Sequence, residues 1–164
     1  MQQKGFTLVE VMIVVIVIAI IAAITYPNYI DFVHKGNRKE GMIALTRMAS
    51  LQEKFFLDRK TFSSSVGNDF NLTDCTSDTP GLGYDPDLDS STNLSENGYY
   101  TLTITGAAPV FAGSTCTMTN PATSFTLTAT ATSKGKQNED TEQGADCSIL
   151  TLNHNGVKTP VICW

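Results

Sequence analysis

The sequence predicts an α+β chain in which one long N-terminal helix, apolar in its first half and amphipathic in its second, packs on a small antiparallel β-sheet. Three observations predict it. Residues 6–24 form an apolar run whose one charged side chain is Glu10. Residues 27–60 carry apolar side chains at helical spacing. From Thr61 onward the composition changes to Thr, Ser, Gly, Asn and Asp, and short alternating runs replace the helical period. The sequence shows no internal repeat and no second domain.

The first element is a membrane span. A run as long as residues 6–24 is sufficient to cross a bilayer as a helix. A secretory signal has a longer basic leader, a shorter apolar core and small residues at its far end. Here the leader is MQQKG, and the small residue, Gly5, lies before the run. We assign residues 6–26 to the spanning helix. An acid inside a span costs about 3 kcal/mol at the bilayer centre and less near an end, so keeping Glu10 requires a partner charge that arrives later.

Residues 27–60 continue the helix outside the membrane. Pro27 removes one hydrogen bond from a continuing helix, which predicts a kink or a short melted turn over residues 23–26. Past it, Ala44, Met48, Leu51 and Phe55 share one face with Leu45, Ala49 and Phe56 beside them, a stripe for packing on a second layer. Gly36 and Gly41 weaken the helix by up to about 1 kcal/mol each relative to Ala and are expected as flexible points. Over residues 6–59 the helix would be about 80 Å long. Lys35, Arg38 and Lys39 lie just past the span, and a solvated helix face is their default reading. Contacts with anionic headgroups, or with Asp31 and Glu40 of adjacent helices, are the alternatives. Their position conflicts with the positive-inside expectation, because only Lys4 and the amino terminus lie on the other side.

Residues 61–98 read as an irregular loop region and residues 99–164 as the sheet. Residues 99–105 put Tyr100, Leu102 and Ile104 on one face, and residues 124–132 put Phe125, Leu127, Ala129 and Ala131 on one face. Residues 147–153 are a further strand, followed by a turn at Asn155 and Gly156 and a return strand that completes a hairpin. Four cysteines fit an oxidising compartment, and the sequence alone leaves three pairings open. No CxxC is present and neither His34 nor His154 is near a cysteine pair, so no zinc is expected.

At KGFTLVE the chain resembles the type IV pilins and their relatives. The resemblance implies a pilin fold and a leader, residues 1–5, cut between Gly5 and Phe6 by a prepilin peptidase that also N-methylates Phe6. It further implies that Glu10 serves assembly. Chemistry supports that role: cleavage creates a cationic amine at Phe6, and the amine of one subunit can neutralise the Glu10 carboxylate of its neighbour as both leave water. Such a pair need not add net stability, because desolvation offsets much of the attraction, but leaving Glu10 unpaired is strongly unfavourable. Moving an apolar helix from lipid into a bundle of like helices hardly changes its hydrophobic free energy, so extraction can be mechanical. The resemblance places the motor in an inner-membrane assembly platform, and no GxxxxGK[ST] in this chain could replace it.

The C-terminal stretch looks most like the PilE-type minor pilins, in which a Cys before an LTL-like strand joins a Cys in a terminal CW. Here those residues are Cys147, residues 150–152, Cys163 and Trp164. With Cys147 and Cys163 paired in this way, Cys75 with Cys116 is the preferred second bond, since it ties the long loop to the sheet.

Charge bears on partners. The chain has 11 Lys and Arg against 16 Asp and Glu, a formal charge of −5. Residues 61–133 contain no Lys or Arg, whereas Asp69, Asp74, Asp78, Asp85, Asp87, Asp89 and Glu96 are acidic. That surface repels polyanions, so nucleic acid is not expected as a partner. The one footprint for it is Lys134, Lys136 and Lys158, with Arg59 and Lys60, which read by default as scattered solvated cations. Asp85, Asp87, Asp89, Asn93 and Glu96 match positions 1, 3, 5, 9 and 12 of a calcium-binding loop. Ser90 stands where that loop needs Gly, and Pro86 at its second position, so an acidic surface loop is the favoured reading and no metal or cofactor is assigned. There is no GxSxG or HExxH, and two separate histidines offer little acid–base chemistry, so no enzyme is expected.

The expectation is a minor pilin that helps prime assembly of a type IV pilus and is incorporated in it, for motility, attachment or DNA uptake. A major pilin, a type II secretion pseudopilin and a DNA- or surface-binding pilin are the alternatives. Its partners are other pilin subunits through the N-terminal helix, the peptidase and methyltransferase, the assembly platform, and the membrane before extraction. It would cross the inner membrane once with its head in the periplasm, then enter the extracellular pilus.

Overall fold

The computed structural model describes residues 5–67, 81–84, 93–106, 110–112 and 117–164. One helix, α1 (Leu8–Arg59), is followed by β1 (Tyr100–Thr105), β2 (Val110–Ala112), β3 (Thr117–Asn120) and β4 (Thr126–Ala131). A 3-10 segment (Lys134–Glu139) leads to β5 (Thr141–Glu142), β6 (Ala145–Asp146), β7 (Ile149–Asn153) and β8 (Lys158–Thr159). The architecture is α+β, with the long helix laid on an antiparallel sheet of order β1-β4-β7-β8. The β2–β3 and β5–β6 pairs are separate hairpins that the alternating pattern does not announce.

Helix α1 starts at Thr7, whose hydroxyl accepts the Glu10 N–H at 3.3 Å and so satisfies one of the free donors of the first turn. It ends at Lys60, which turns left-handed at φ 60° and donates its N–H to the Phe56 carbonyl at 2.8 Å. The expected melted turn over residues 23–26 is absent: the helix is continuous there. Pro27 costs one N–H, but the Thr25 hydroxyl and the Asn28 amide add bonds to the carbonyls of Ile21 (2.8 Å) and Ile24 (3.3 Å) on either side of the gap.

Alternation decides the sheet. Register places Leu102, Ala129 and Leu150 in one cross-strand row and Ile104, Leu127 and Leu152 in the next, all toward the helix. They close on Leu45, Met48 and Phe55 of α1, with Tyr100 and Phe125 at the strand starts. The opposite face carries threonines, among them the row Thr103, Thr128, Thr151 and Thr159. The Thr151 and Thr159 hydroxyls bond each other, and Gly156 takes the positive φ of the hairpin turn (76°).

The expected apolar stripe lies on the face that α1 buries, with Ala44, Leu45, Met48 and Phe55 buried and Ala49 and Leu51 packed against the core, but that face extends further and takes in polar residues. It runs through His34, Arg38, Gly41, Leu45, Met48, Gln52 and Phe55, whereas Phe56 is exposed. Gln52 closes a two-point contact with the backbone of Ser63, donating to its carbonyl at 2.7 Å and accepting its N–H at 2.9 Å. Gly41 is not a flexible point: a Cβ there would meet the Tyr100 ring at 3.1–3.2 Å, so glycine is what lets the ring lie on the helix. At Gly36 a Cβ would meet nothing within 4 Å.

Candidate functional site

The chain offers two contrasting places for chemistry, the N-terminal motif and the surface of the head. At the motif, Gly5 and Phe6 precede the helix in exposed backbone, and Phe6 is 83% exposed. A Cβ at Gly5 would meet no atom within 4 Å, so nothing within the fold requires glycine there. Glu10 lies exposed in the first turn, with no ion-pair partner among the described residues. Around and beyond it the apolar side chains of residues 8–24 are exposed on every side of the helix. A helix of this composition is not a core element of its own chain, and its surface is satisfied only by lipid or by other helices.

The head begins where α1 meets the sheet, and there the expected solvated cluster is corrected. Arg38 is buried, and its Nε and Nη2 donate to the two carboxylate oxygens of Asp140 at 2.7 and 2.6 Å. Its Nη1 donates to Glu142 at 3.2 Å, and Lys35 pairs with the same carboxylate at 3.0 Å. The Asp140 hydrogen bond and charge raise the Arg38 pKa above its ordinary value against the opposing effect of burial. The Lys35 and Arg38 hydrogen bonds hold the Glu142 carboxyl below the usual range. Gln137, fully buried, places Nε2 within 3.0–3.1 Å of Asp140 Oδ2, the His34 carbonyl and Tyr100 Oη. Burial pushes Tyr100 up to about 12. Within the chain, Glu40 holds Asn97 through its backbone N–H and its side-chain amide, both at 2.9 Å. Counting polar residues into the heptad-like spacing 34, 38, 41, 45, 48, 52, 55 is the signal that extends this face to His34, Arg38 and Gln52, which an apolar stripe alone does not include.

A groove of 480 Å³ opens between the outer face of α1 and the C-terminus, with Ile43, Thr46, Arg47, Ser50, Lys158 and Trp164 among its walls. Lys158 Nζ stands 4.5 Å from the Trp164 ring centre, and the Arg47 guanidinium 5.6 Å from that of Tyr84. Among the described residues neither cation has a carboxylate at ion-pair distance. Of the other basic residues singled out from sequence, Lys60 is the exposed C-cap of α1 and three are engaged elsewhere. Lys134 lies over the Tyr99 ring and donates to the Asn97 carbonyl at 2.5 Å, Lys136 pairs with Glu139, and Arg59 with Asp58.

Cys147 and Cys163 are joined, with an S–S distance of 1.96 Å and a Cα separation of 5.6 Å. Cys75 and Cys116 lie outside the described residues, as do Asp85, Asp87 and Asp89. Of the remaining calcium candidates, Asn93 accepts the Leu102 N–H through its carbonyl at 2.6 Å and Glu96 is exposed. Among the described residues no group of three or more His, Cys, Asp or Glu could hold a metal.

Two family profiles match the chain. A family profile described as type IV minor pilin ComP, DNA uptake sequence receptor, matches residues 27–151, and one described as the prokaryotic N-terminal methylation motif matches residues 1–26. The type IV major pilin protein PilA of Myxococcus xanthus (strain DK1622) is 39% identical over 62 residues, covering 38% of this chain and 28% of its own length. The type IV major fimbrial protein FimA of Dichelobacter nodosus is 33% identical over 93 residues, 49% of this chain and 58% of its own. The chain thus spans 28% and 58% of the lengths of these two curated relatives. A solved type IV pilin from Shewanella oneidensis is similar with a TM-score of 0.41 and 20% identity, over 80% of this chain and 97% of that one. Since the first profile takes in α1 beyond the span and the sheet as far as the middle of β7, more than half of the chain, the chain belongs to the type IV minor pilin family of ComP.

Proposed function

We propose that this pilin is incorporated sparsely into a type IV pilus through its N-terminal helix and that its head captures DNA for uptake. The family is structural and non-enzymatic, and the methylation motif implies prepilin processing and assembly with other pilins. In our reading residues 1–5 are the leader, Gly5 and Phe6 flank the cut, and Phe6 is N-methylated. Residues 6–26 anchor the chain in the inner membrane with the head, residues 27–164, in the periplasm. Glu10 then meets the amine of a neighbouring Phe6 when the chain leaves for the pilus, and the subunit helps prime that assembly. DNA uptake is favoured over twitching or attachment as the use of the pilus.

The observation that carries the DNA reading is the match of the head to a family described as a DNA uptake sequence receptor. It runs against the expectation drawn from charge, and the groove supplies the physical reason. Counting charges along residues 61–133 does not register that Arg47 from the helix and Lys158 from the last strand share one groove with the indole of Trp164. Two cations beside an aromatic face suit phosphates and an adjoining apolar surface. On a chain of formal charge −5 such binding is local and strongly salt-dependent.

The test separates piliation from uptake in a strain lacking the gene. Complementation with Arg47→Glu plus Lys158→Glu should leave surface pili at wild-type number and lower DNA uptake by about tenfold or more. Unchanged uptake would remove DNA from the groove. Abundance in sheared pili matching that of the main subunit would identify a major pilin, and failure of the wild-type gene to restore any pilus phenotype would point to a secretion pseudopilin.

A further inference from the structure

Among the described residues, the hydrogen-bond partners of the buried Arg38 guanidinium all belong to one stretch more than a hundred residues later, Asp140 and Glu142. The contact with Asp140 is a planar two-point fork, which fixes orientation as well as distance. Asp140 passes that constraint on. Its backbone carbonyl accepts the Cys147 N–H at 2.9 Å, Cys147 is bonded to Cys163, and Cys163 Sγ lies 3.7 Å from the Asp146 carbonyl. Trp164 follows Cys163, and its indole N–H reaches the Thr159 carbonyl at 3.4 Å. Directional contacts therefore connect α1 at Arg38 to the last residue of the chain. Trp164 and Lys158 wall the groove on one side, and Arg47 walls it on the other, about 13 Å further along the same helix.

We infer that Arg38 is a positioning residue: by gripping Asp140 and Glu142 it seats the disulfide-closed C-terminal hairpin on α1 and thereby sets the geometry of the groove. The choice of an ion pair supports this. A buried pair of charges holds two surfaces together no better than apolar side chains of the same volume, because desolvation offsets the attraction. What apolar side chains lack is direction, so they permit the hairpin to shift along or around the helix. Gln137 steadies the same carboxylate from the sheet side, at 3.0 Å from Asp140 Oδ2. The value of this alignment for uptake rests on the DNA reading of the groove, and the alignment itself does not.

Trp164 is the chain's one tryptophan, so its fluorescence reports the groove directly. The experiment uses full-length protein in detergent micelles carrying Arg38→Met, Arg38→Lys, or Arg38→Met with Asp140→Leu. In the double variant the melting temperature should stay near wild type, while acrylamide quenching of Trp164 rises about twofold and the Cys147 amide exchanges at least about tenfold faster. Arg38→Lys, which keeps the charge without the fork, should move both readouts part of the way, and it carries the test if the other variants do not fold. A double variant with wild-type quenching and exchange, or Arg38→Lys indistinguishable from wild type in both, overturns the inference and leaves the contact as packing. Loosened readouts with DNA uptake still at the wild-type level uphold the positioning role and remove the DNA reading instead.

Discussion

The two halves of α1 obey opposite rules. In the first, residues 8–24 are apolar on every side but for Glu10 and exposed, and among the described residues none of them joins the core. In the second, the buried face carries His34, Arg38 and Gln52 in line with core residues such as Leu45 and Met48. Where the partner is part of the same chain, its geometry is fixed, so a polar side chain can be buried with its bonds satisfied. Where the partner is lipid first and other helices later, only apolar side chains are acceptable in both, and polarity is reduced to Glu10 at the edge of the run. The second half is therefore specified by what lies within the molecule and the first by what lies outside it.

The strongest way to break this comparison is to remove the lone charge of the first half. Glu10→Gln should leave processing at Gly5 and the stability of the head unchanged while lowering incorporation into pili by about tenfold or more. Immunoblots of sheared pili against whole-cell protein measure it. Equal incorporation would mean that the first half assembles by apolar contact alone, and the pairing of Glu10 with a neighbouring amine would have to be given up.

The converse experiment damages the head alone. Replacing Cys147 and Cys163 by Ser opens a loop of sequence separation 16, which should cost about 3 kcal/mol of head stability. Helical signal in micelles should largely survive heating past the point where the sheet melts, because residues 8–26 owe nothing to the disulfide. A single transition taking helix and sheet together would show that the two halves are more tightly coupled than their contacts indicate.

Two glycines sharpen the comparison within the second half, since equal substitutions should act with opposite sign. Gly41→Ala drives a Cβ into the Tyr100 ring and should destabilise by about 1–3 kcal/mol. Gly36→Ala meets no atom and should stabilise by up to about 1 kcal/mol through helix propensity. Denaturant titrations of the two proteins give both signs.

Those glycines also show what the sequence could and could not reveal. Helix, span and three of the sheet strands are legible because each follows a period, and both Tyr100 and Leu150 fall inward as alternation requires. The motif around Gly5, Phe6 and Glu10 stands out because a short pattern and a misplaced charge need no tertiary information, and the role proposed for Glu10 is what Glu10→Gln tests. Arg38 is not, since its reason for burial stands 102 residues away and local spacing makes it look like one more surface cation. The groove escapes for the same reason, as Arg47, Lys158 and Trp164 meet only after the hairpin closes. Gly41 reads as a weak point until the ring that needs it is in place.

The smallest effect concerns pH and tests how far the charged contacts of the second half extend to its surface. Glu142 is held below its ordinary pKa, first by the Lys35 hydrogen bond and then by Arg38. A carboxyl whose folded pKa is depressed contributes stability above its unfolded pKa and loses it as the pH falls through the folded value. Melting temperatures of wild type and Glu142→Gln should therefore differ at pH 7 and converge as the solution is acidified below the usual carboxylate range. Asp146, depressed by its hydrogen bonds to Ser148, titrates in both proteins and drops out of the difference. Because Glu142 is partly open to solvent, the gap should also narrow in high salt. A gap that persists unchanged at low pH would mean that Glu142 acts by packing, and the electrostatic contact would end at Asp140, inside the core.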